Sequence, residues 1–71
     1  MAESVYKVIE LVGSSPKSWE EAAKNAVDMA SKSLQELRIA EIADLDMKLE
    51  DGKVALFRAR VKVSFKYMGK E

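Results

Sequence analysis

The chain has 71 residues, no cysteine, no histidine, and 12 basic residues against 12 acidic ones. Disulfides and Cys/His zinc centres are excluded, as are catalytic pairs built on those two residues, and net neutrality argues against a general nucleic-acid or anionic-membrane binder. One domain over residues 1–71 is expected, and so short a chain buries only roughly 60% of its unfolded surface, which leaves oligomerisation as its remaining source of stability.

Val5 to Val12 reads as a strand with apolar residues on both faces: Val5, Ile9 and Leu11 beside Lys7, and Tyr6, Val8 and Val12 beside Glu10. A strand apolar on both sides is covered on both sides. Simple burial satisfies that pattern; a face given to another subunit satisfies it better, because one helix cannot cover two faces. Gly13-Ser14-Ser15-Pro16 has the composition of a turn. Ser18-Trp19-Glu20-Glu21 is a capping box, with Ser15-Pro16 as an alternative helix start. Trp19, Ala22, Ala23, Ala26, Ala30, Ser33, Leu34 and Leu37 recur on one face of a helix placed at about 18–36. Glu20–Lys24 and Asp28–Lys32 are pairs in the favourable order on its other side.

Arg38 to Glu50 is a second strand, and Asp51-Gly52 signals a hairpin. A two-residue loop would pair odd positions with even ones. A three-residue loop, Glu50-Asp51-Gly52, sets Leu45 against Phe57, Ile39 against Val63 and Asp44 against Arg58, which gathers the apolar residues on one face and is preferred. The last strand, Ala55 to Tyr67, alternates without a break: Ala55, Phe57, Ala59, Val61, Val63, Phe65 and Tyr67 on one face, and Leu56, Arg58, Arg60, Lys62, Ser64 and Lys66 on the other. Residues 68–71 are expected to be a loose tail. The fold class is α+β: a β-α-β-β subunit whose three-stranded antiparallel sheet, with the third strand in the middle, wraps one helix.

Little chemistry for turnover is present. Ser14 and Ser15 beside Lys17 are weak nucleophile candidates, and serines ahead of a helix more commonly cap it. Asp44 and Asp46 share a strand face and form a candidate metal pair for a hard cation such as calcium; neutralisation by Arg58 and Arg60 is the plainer expectation. The segment from Asp44 starts like an EF-hand loop but puts Lys48 at a ligand position and Leu49 where glycine is needed, so an EF-hand is rejected. Arg58, Arg60, Lys62 and Lys66 form a basic stripe that pairs with acids or meets phosphate groups. Trp19 is expected to anchor a core or an interface. No enzyme is expected. No apolar stretch approaches the roughly 20 residues of a membrane span, and Met1-Ala2-Glu3-Ser4 does not open a signal peptide. The expected location is the cytoplasm.

Four stretches taken together resemble the dodecins: Val5-Tyr6-Lys7-Val8-Ile9-Glu10-Leu11-Val12-Gly13-Ser14-Ser15, Ser18-Trp19-Glu20-Glu21-Ala22-Ala23-Lys24-Asn25-Ala26, Leu37-Arg38-Ile39-Ala40-Glu41-Ile42 and Val61-Lys62-Val63-Ser64-Phe65-Lys66-Tyr67. The resemblance spans about residues 5–67 and implies a homododecamer enclosing a hollow shell of cubic symmetry. It implies a non-enzymatic store of flavin, FMN or riboflavin, held between subunits by positions matching Ile39, Asp44 and Arg58. In flavin-binding members a tryptophan stands where this chain has Ile39, and a glutamine where it has Arg58. Ile39 offers no π-face, and a guanidinium donates but cannot accept. A branch of the family associated with calcium looks similar at these positions. Flavin sequestration is the first expectation, and a cation-binding shell using Asp44, Asp46, Glu41 or loop acids is the alternative. A shared pocket for Ile39 and Arg58 requires a bulge or a second subunit, because the flat register sets them on opposite faces.

Overall fold

Period-two patterning and one capped amphipathic segment give four elements: β1 (Tyr6–Ser15), α1 (Trp19–Ser31), β2 (Leu37–Glu50) and β3 (Lys53–Lys66). The computed structural model describes residues 5–66. The expected strand end at Tyr67 and tail at 68–71 lie outside the described residues. The strand order is β1-β3-β2, and both pairings are antiparallel. The third strand is central, as expected for strands running up, up and down.

Helix α1 lies on one face of this sheet. Ala22, Ala26 and Ala30 are buried, and the first two pack on Ala59, Val61 and Val63 of β3, with Ile9, Leu11, Val27 and Leu37 closing the cluster. Small side chains let the helix approach closely. Closest of all is the crossing at Gly13, where a Cβ would collide with the Ala22 carbonyl oxygen and press on the Ala26 methyl. That crossing explains a departure from the sequence reading. Gly13-Ser14-Ser15 is the end of β1 rather than a turn, paired with Ala59, Arg58 and Phe57. A glycine lies there because the backbone passes directly beneath the helix.

Ser18 caps the helix as expected, its hydroxyl accepting from the Glu21 amide at 3.0 Å. The Glu21 carboxylate does not complete the capping box. It accepts from the buried Ser15 hydroxyl at 2.6 Å, and Ser15 Oγ accepts from the Lys17 amide. This serine is a structural linker between strand and helix, its hydroxyl tied to the Glu21 carboxylate and the Lys17 amide.

The helix ends earlier than the expected residue 36. The amides of Ser33 and Leu34 both return to the Ala30 carbonyl, and Glu36 adopts φ 60°. A left-handed residue cannot continue a right-handed helix. Leu34 and Leu37, which fit the helical spacing, belong to the turn and to β2. Lys24 bridges to Asp28 at 3.1 Å, in place of the expected Glu20–Lys24 contact.

The hairpin register also differs from the preferred one. The loop has two residues, Asp51 (φ 54°) and Gly52 (φ 76°), with Glu50 paired to Lys53. Positive φ at both positions is the type I′ turn that suits strand twist, and Asp-Gly is suited to it. An extra residue, Ala55, is then bulged out of β3 between the Leu49–Val54 and Lys48–Leu56 pairs. The bulge restores even-to-even pairing, but shifted: Leu45 lies opposite Ala59 and not Phe57, Asp44 opposite Arg60 and not Arg58, and Asp46 opposite Arg58. Two further irregularities follow in β2, at Ala43 and Arg38, so that Ile39 meets Ser64 and not Val63.

The long hairpin makes the protomer 55 × 20 × 17 Å, with a radius of gyration of 14.8 Å. A compact chain of this length has a radius near 11 Å, roughly. The accessible surface is 5532 Å², against roughly 4,400 Å² for a compact monomer of this mass. Much of the excess is apolar: Ile42, Leu45, Met47, Leu49 and Val54 stand exposed on the helix-facing side of the hairpin.

Candidate ligand face

Ala59, Val61 and Val63 point to the helix, so their neighbours Arg58, Arg60, Lys62 and Ser64 project from the opposite face of β3. In β1 the partners of these residues are Ser14, Val12, Glu10 and Val8. In β2 they are Asp46, Asp44, Glu41 and Ile39. The Ala43 bulge is decisive here. Below it the even residues Asp44 and Asp46 occupy this face; above it the odd residues Glu41 and Ile39 do. One inserted residue turns over the side-chain alternation. Ile39, Asp44 and Arg58, the three positions matched to a ligand site, therefore share one face within a single protomer.

Their electrostatics are unequal. Arg58 grips Asp46 with both ends of its fork, Nε to Oδ1 at 2.7 Å and Nη2 to Oδ2 at 2.8 Å. This hydrogen-bonded fork holds the Asp46 carboxyl below its ordinary value of 3.8; loss of hydration opposes the effect, and the charges of Arg58 and Arg60 add to it. The same pair raises Arg58 above its ordinary range. A depressed carboxyl stabilises the fold above its unfolded pKa and loses that contribution as pH falls through the folded one. The pair is therefore complete at neutral pH and opens only in acid below the ordinary carboxylate range. Arg60 is held more loosely, 3.5 Å from Asp44 and 3.9 Å from Glu10, beyond good hydrogen-bond length. Asp44 keeps 70% of its side chain exposed. Ile39 is 66% exposed, and Tyr6, Val8 and Val12 of the same face are also uncovered.

The expected neutralisation of both aspartates by the two arginines is thus present, in the shifted order. Among the described residues no group of three or more carboxylates lies close enough to hold a metal ion. Asp44 and Asp46 stand on this face each beside its own arginine.

Trp19 supports this face from beneath. Its indole N–H donates to the Asp46 carbonyl at 3.0 Å, and its ring meets Phe57 edge-on at 5.1 Å. Sequence reasoning anticipates an anchor here but not its partner, since nothing local to Trp19 points to residue 46. Trp19→Phe keeps an aromatic ring, smaller than the indole, and removes the donor. It is expected to cost about 1 kcal/mol in denaturant unfolding, with the oligomer intact; no change in midpoint would mean that the indole N–H serves no structural purpose.

Comparison with known proteins agrees with this architecture. The family model described as Dodecin matches residues 5–68. Calcium dodecin of Mycobacterium tuberculosis is 43% identical over 63 residues, which are 89% of each chain. The structure superposes on dodecin from Streptomyces coelicolor with a TM-score of 0.91 at 34% identity, covering 99% of this chain and 100% of that one. It superposes on the crystal structure of the Mycobacterium tuberculosis calcium dodecin, a calcium-chelating antigen with a calcium-binding site, with a TM-score of 0.83 at 40% identity, covering 96% and 97%. Matched along almost its whole length in sequence and in fold, this chain belongs to the dodecin family.

Proposed function

We propose that the protein is a non-enzymatic store for a small ligand, assembled as a hollow homododecamer, and that the ligand is a divalent cation, calcium foremost. The observation that carries this reading is the division of labour between the two aspartates. Asp46 is consumed by Arg58, while Asp44 stands open on the same face with one long contact. The similarity to calcium dodecin supports the same direction. Assembly is favoured by the elongated protomer and by the apolar side chains uncovered on both sides of the sheet. It also bears on the site. Calcium takes about six to eight oxygens, more than one open carboxylate supplies, so carboxylates from adjacent subunits and water complete the shell.

Calcium binding and assembly are then linked, because a ligand that binds only the assembled state stabilises it. At about one hundred times its Kd calcium should add roughly 2.7 kcal/mol to stability, read as a rise in thermal midpoint, and Asp44→Asn should abolish the rise. Calorimetry with calcium that shows neither heat nor a thermal shift overturns the reading.

Flavin storage is the second reading. It is favoured by one observation: the Ala43 bulge sets Ile39, Asp44 and Arg58 on one face, which a common pocket needs. Against it stand the missing π-face at Ile39 and the engaged fork of Arg58. Quenching of riboflavin or FMN fluorescence by the purified oligomer would place it first.

A further inference from the structure

We infer that Asp46 is a specificity-determining residue: by closing the fork of Arg58 it makes this face refuse anions and leaves Asp44, held only by the long Arg60 contact, as the open carboxylate for cations. The half concerning Asp44 rests on the cation reading above; the half concerning anions does not. Without acids, Arg58, Arg60 and Lys62 would form a row of three cations on one face of β3, spaced by about 7 Å, two strand residues apart. Such a row suits phosphate, and a free guanidinium suits it best, since its coplanar donors match two oxygens at once. Opposite the row stand Glu10 on β1 and Glu41, Asp44 and Asp46 on β2. They do not neutralise it evenly. Arg60 is shared between Asp44 and Glu10 at 3.5 and 3.9 Å, whereas Arg58 makes two short bonds to a single carboxylate.

The short pair is also fixed in place from the other side of the sheet. Trp19 holds the Asp46 carbonyl, and its ring contacts Phe57, the residue before Arg58. Both partners are thereby positioned by one indole under the sheet. An incoming phosphate oxyanion has to evict a carboxylate that already occupies the same donors, so it exchanges one anion for another with little gain. A cation approaching Asp44 meets a neutral Arg58–Asp46 unit and only one loosely held guanidinium, that of Arg60, in place of two.

The test titrates the assembled protein with inorganic phosphate by calorimetry, with light scattering to verify the oligomer. Asp46→Ala should tighten phosphate binding by about tenfold or more, the gain from one charged hydrogen bond. Asp46→Asn keeps the shape and one acceptor, so a smaller gain is expected, and it decides the matter if the alanine variant fails to assemble. The Asp46→Ala/Arg58→Ala double variant should lose the gain, which locates the anion on Arg58. Asp44→Asn changes net charge by the same amount but releases only the loosely held Arg60, so its gain should be clearly smaller. Unchanged phosphate affinity in both Asp46 variants, or an equal gain in Asp44→Asn, overturns the assignment. Calcium titration of the unaltered protein is a separate arm: silence there removes the cation reading and leaves the phosphate result to judge Asp46 by itself.

Discussion

Gly13→Ala is expected to cost about 3 kcal/mol or more, and to do so through a single methyl group. The alanine φ and ψ are not at issue, because Gly13 lies in an ordinary extended strand. The cost is steric: the new Cβ would overlap the Ala22 carbonyl oxygen, part of the helix backbone, and crowd the Ala26 methyl. Neither neighbour can rotate away. The helix must lift from the sheet, which separates Ala22 and Ala26 from Ala59 and Val61 and opens the buried cluster. A chain of this length has roughly 4–10 kcal/mol of stability in total, so the loss is a large share. Denaturant unfolding at fixed protein concentration measures it, because the assembly proposed above would make the midpoint concentration-dependent. Ser14→Ala, one residue along on the exposed side of the strand, is the control and should move the midpoint little. A Gly13→Ala protein as stable as the parent would mean that the helix does not sit where the contact places it.

The elements themselves were legible in the sequence because each depends on local pattern: alternation in β1 and β3, the Ser18 cap, and small residues along one side of α1. The pairing between β2 and β3 was not, because register is a property of two strands and a turn. Simple parity arithmetic favours a three-residue loop; the chain uses a two-residue turn plus a bulge, which reaches the same parity with Asp51 and Gly52 both at positive φ. The signals for the bulges are nevertheless in the sequence. In β2 the apolar phase runs through Ile42 and then Leu45, a gap of three where a regular strand has two, and Ala43 sits inside that gap. In β3 Val54, Ala55, Leu56 and Phe57 are consecutive apolar residues, which no single alternating face accommodates. The helix end is hidden in the sequence for a related reason. Leu34 and Leu37 continue the helical spacing, but Leu34 lies in the connecting turn and Leu37 reaches the core from a strand. On the candidate site, residue types were legible and grouping was not: that Asp46 rather than Asp44 meets Arg58 follows from the bulge at Ala55.

Replacing Ile39 by Trp and Arg58 by Gln together should give the proposed oligomer tighter flavin binding than the parent chain. Ile39→Trp supplies the missing ring. Aromatic stacking adds about 0.5–1.5 kcal/mol beyond area, up to about tenfold in Kd. That change alone still leaves the guanidinium of Arg58 bonded to Asp46, with no acceptor to offer the ligand. Arg58→Gln opens the ion pair and introduces an amide that donates and accepts. Added to Ile39→Trp it should strengthen binding further, because it removes a competitor as well as adding a contact. The expected result is saturable quenching of riboflavin fluorescence by the double variant, weaker quenching by Ile39→Trp, and little by Arg58→Gln. Unchanged fluorescence with a double variant shown by light scattering to be assembled would refute a shared pocket at these positions. The outcome also bears on the bulge. Ala43 turns the strand over so that Ile39 and Arg58 lie on one face, but Ile39 stands opposite Ser64, six β3 residues or about 20 Å from Arg58, so synergy between the two substitutions would be the solution signature of a pocket closed by a neighbouring subunit.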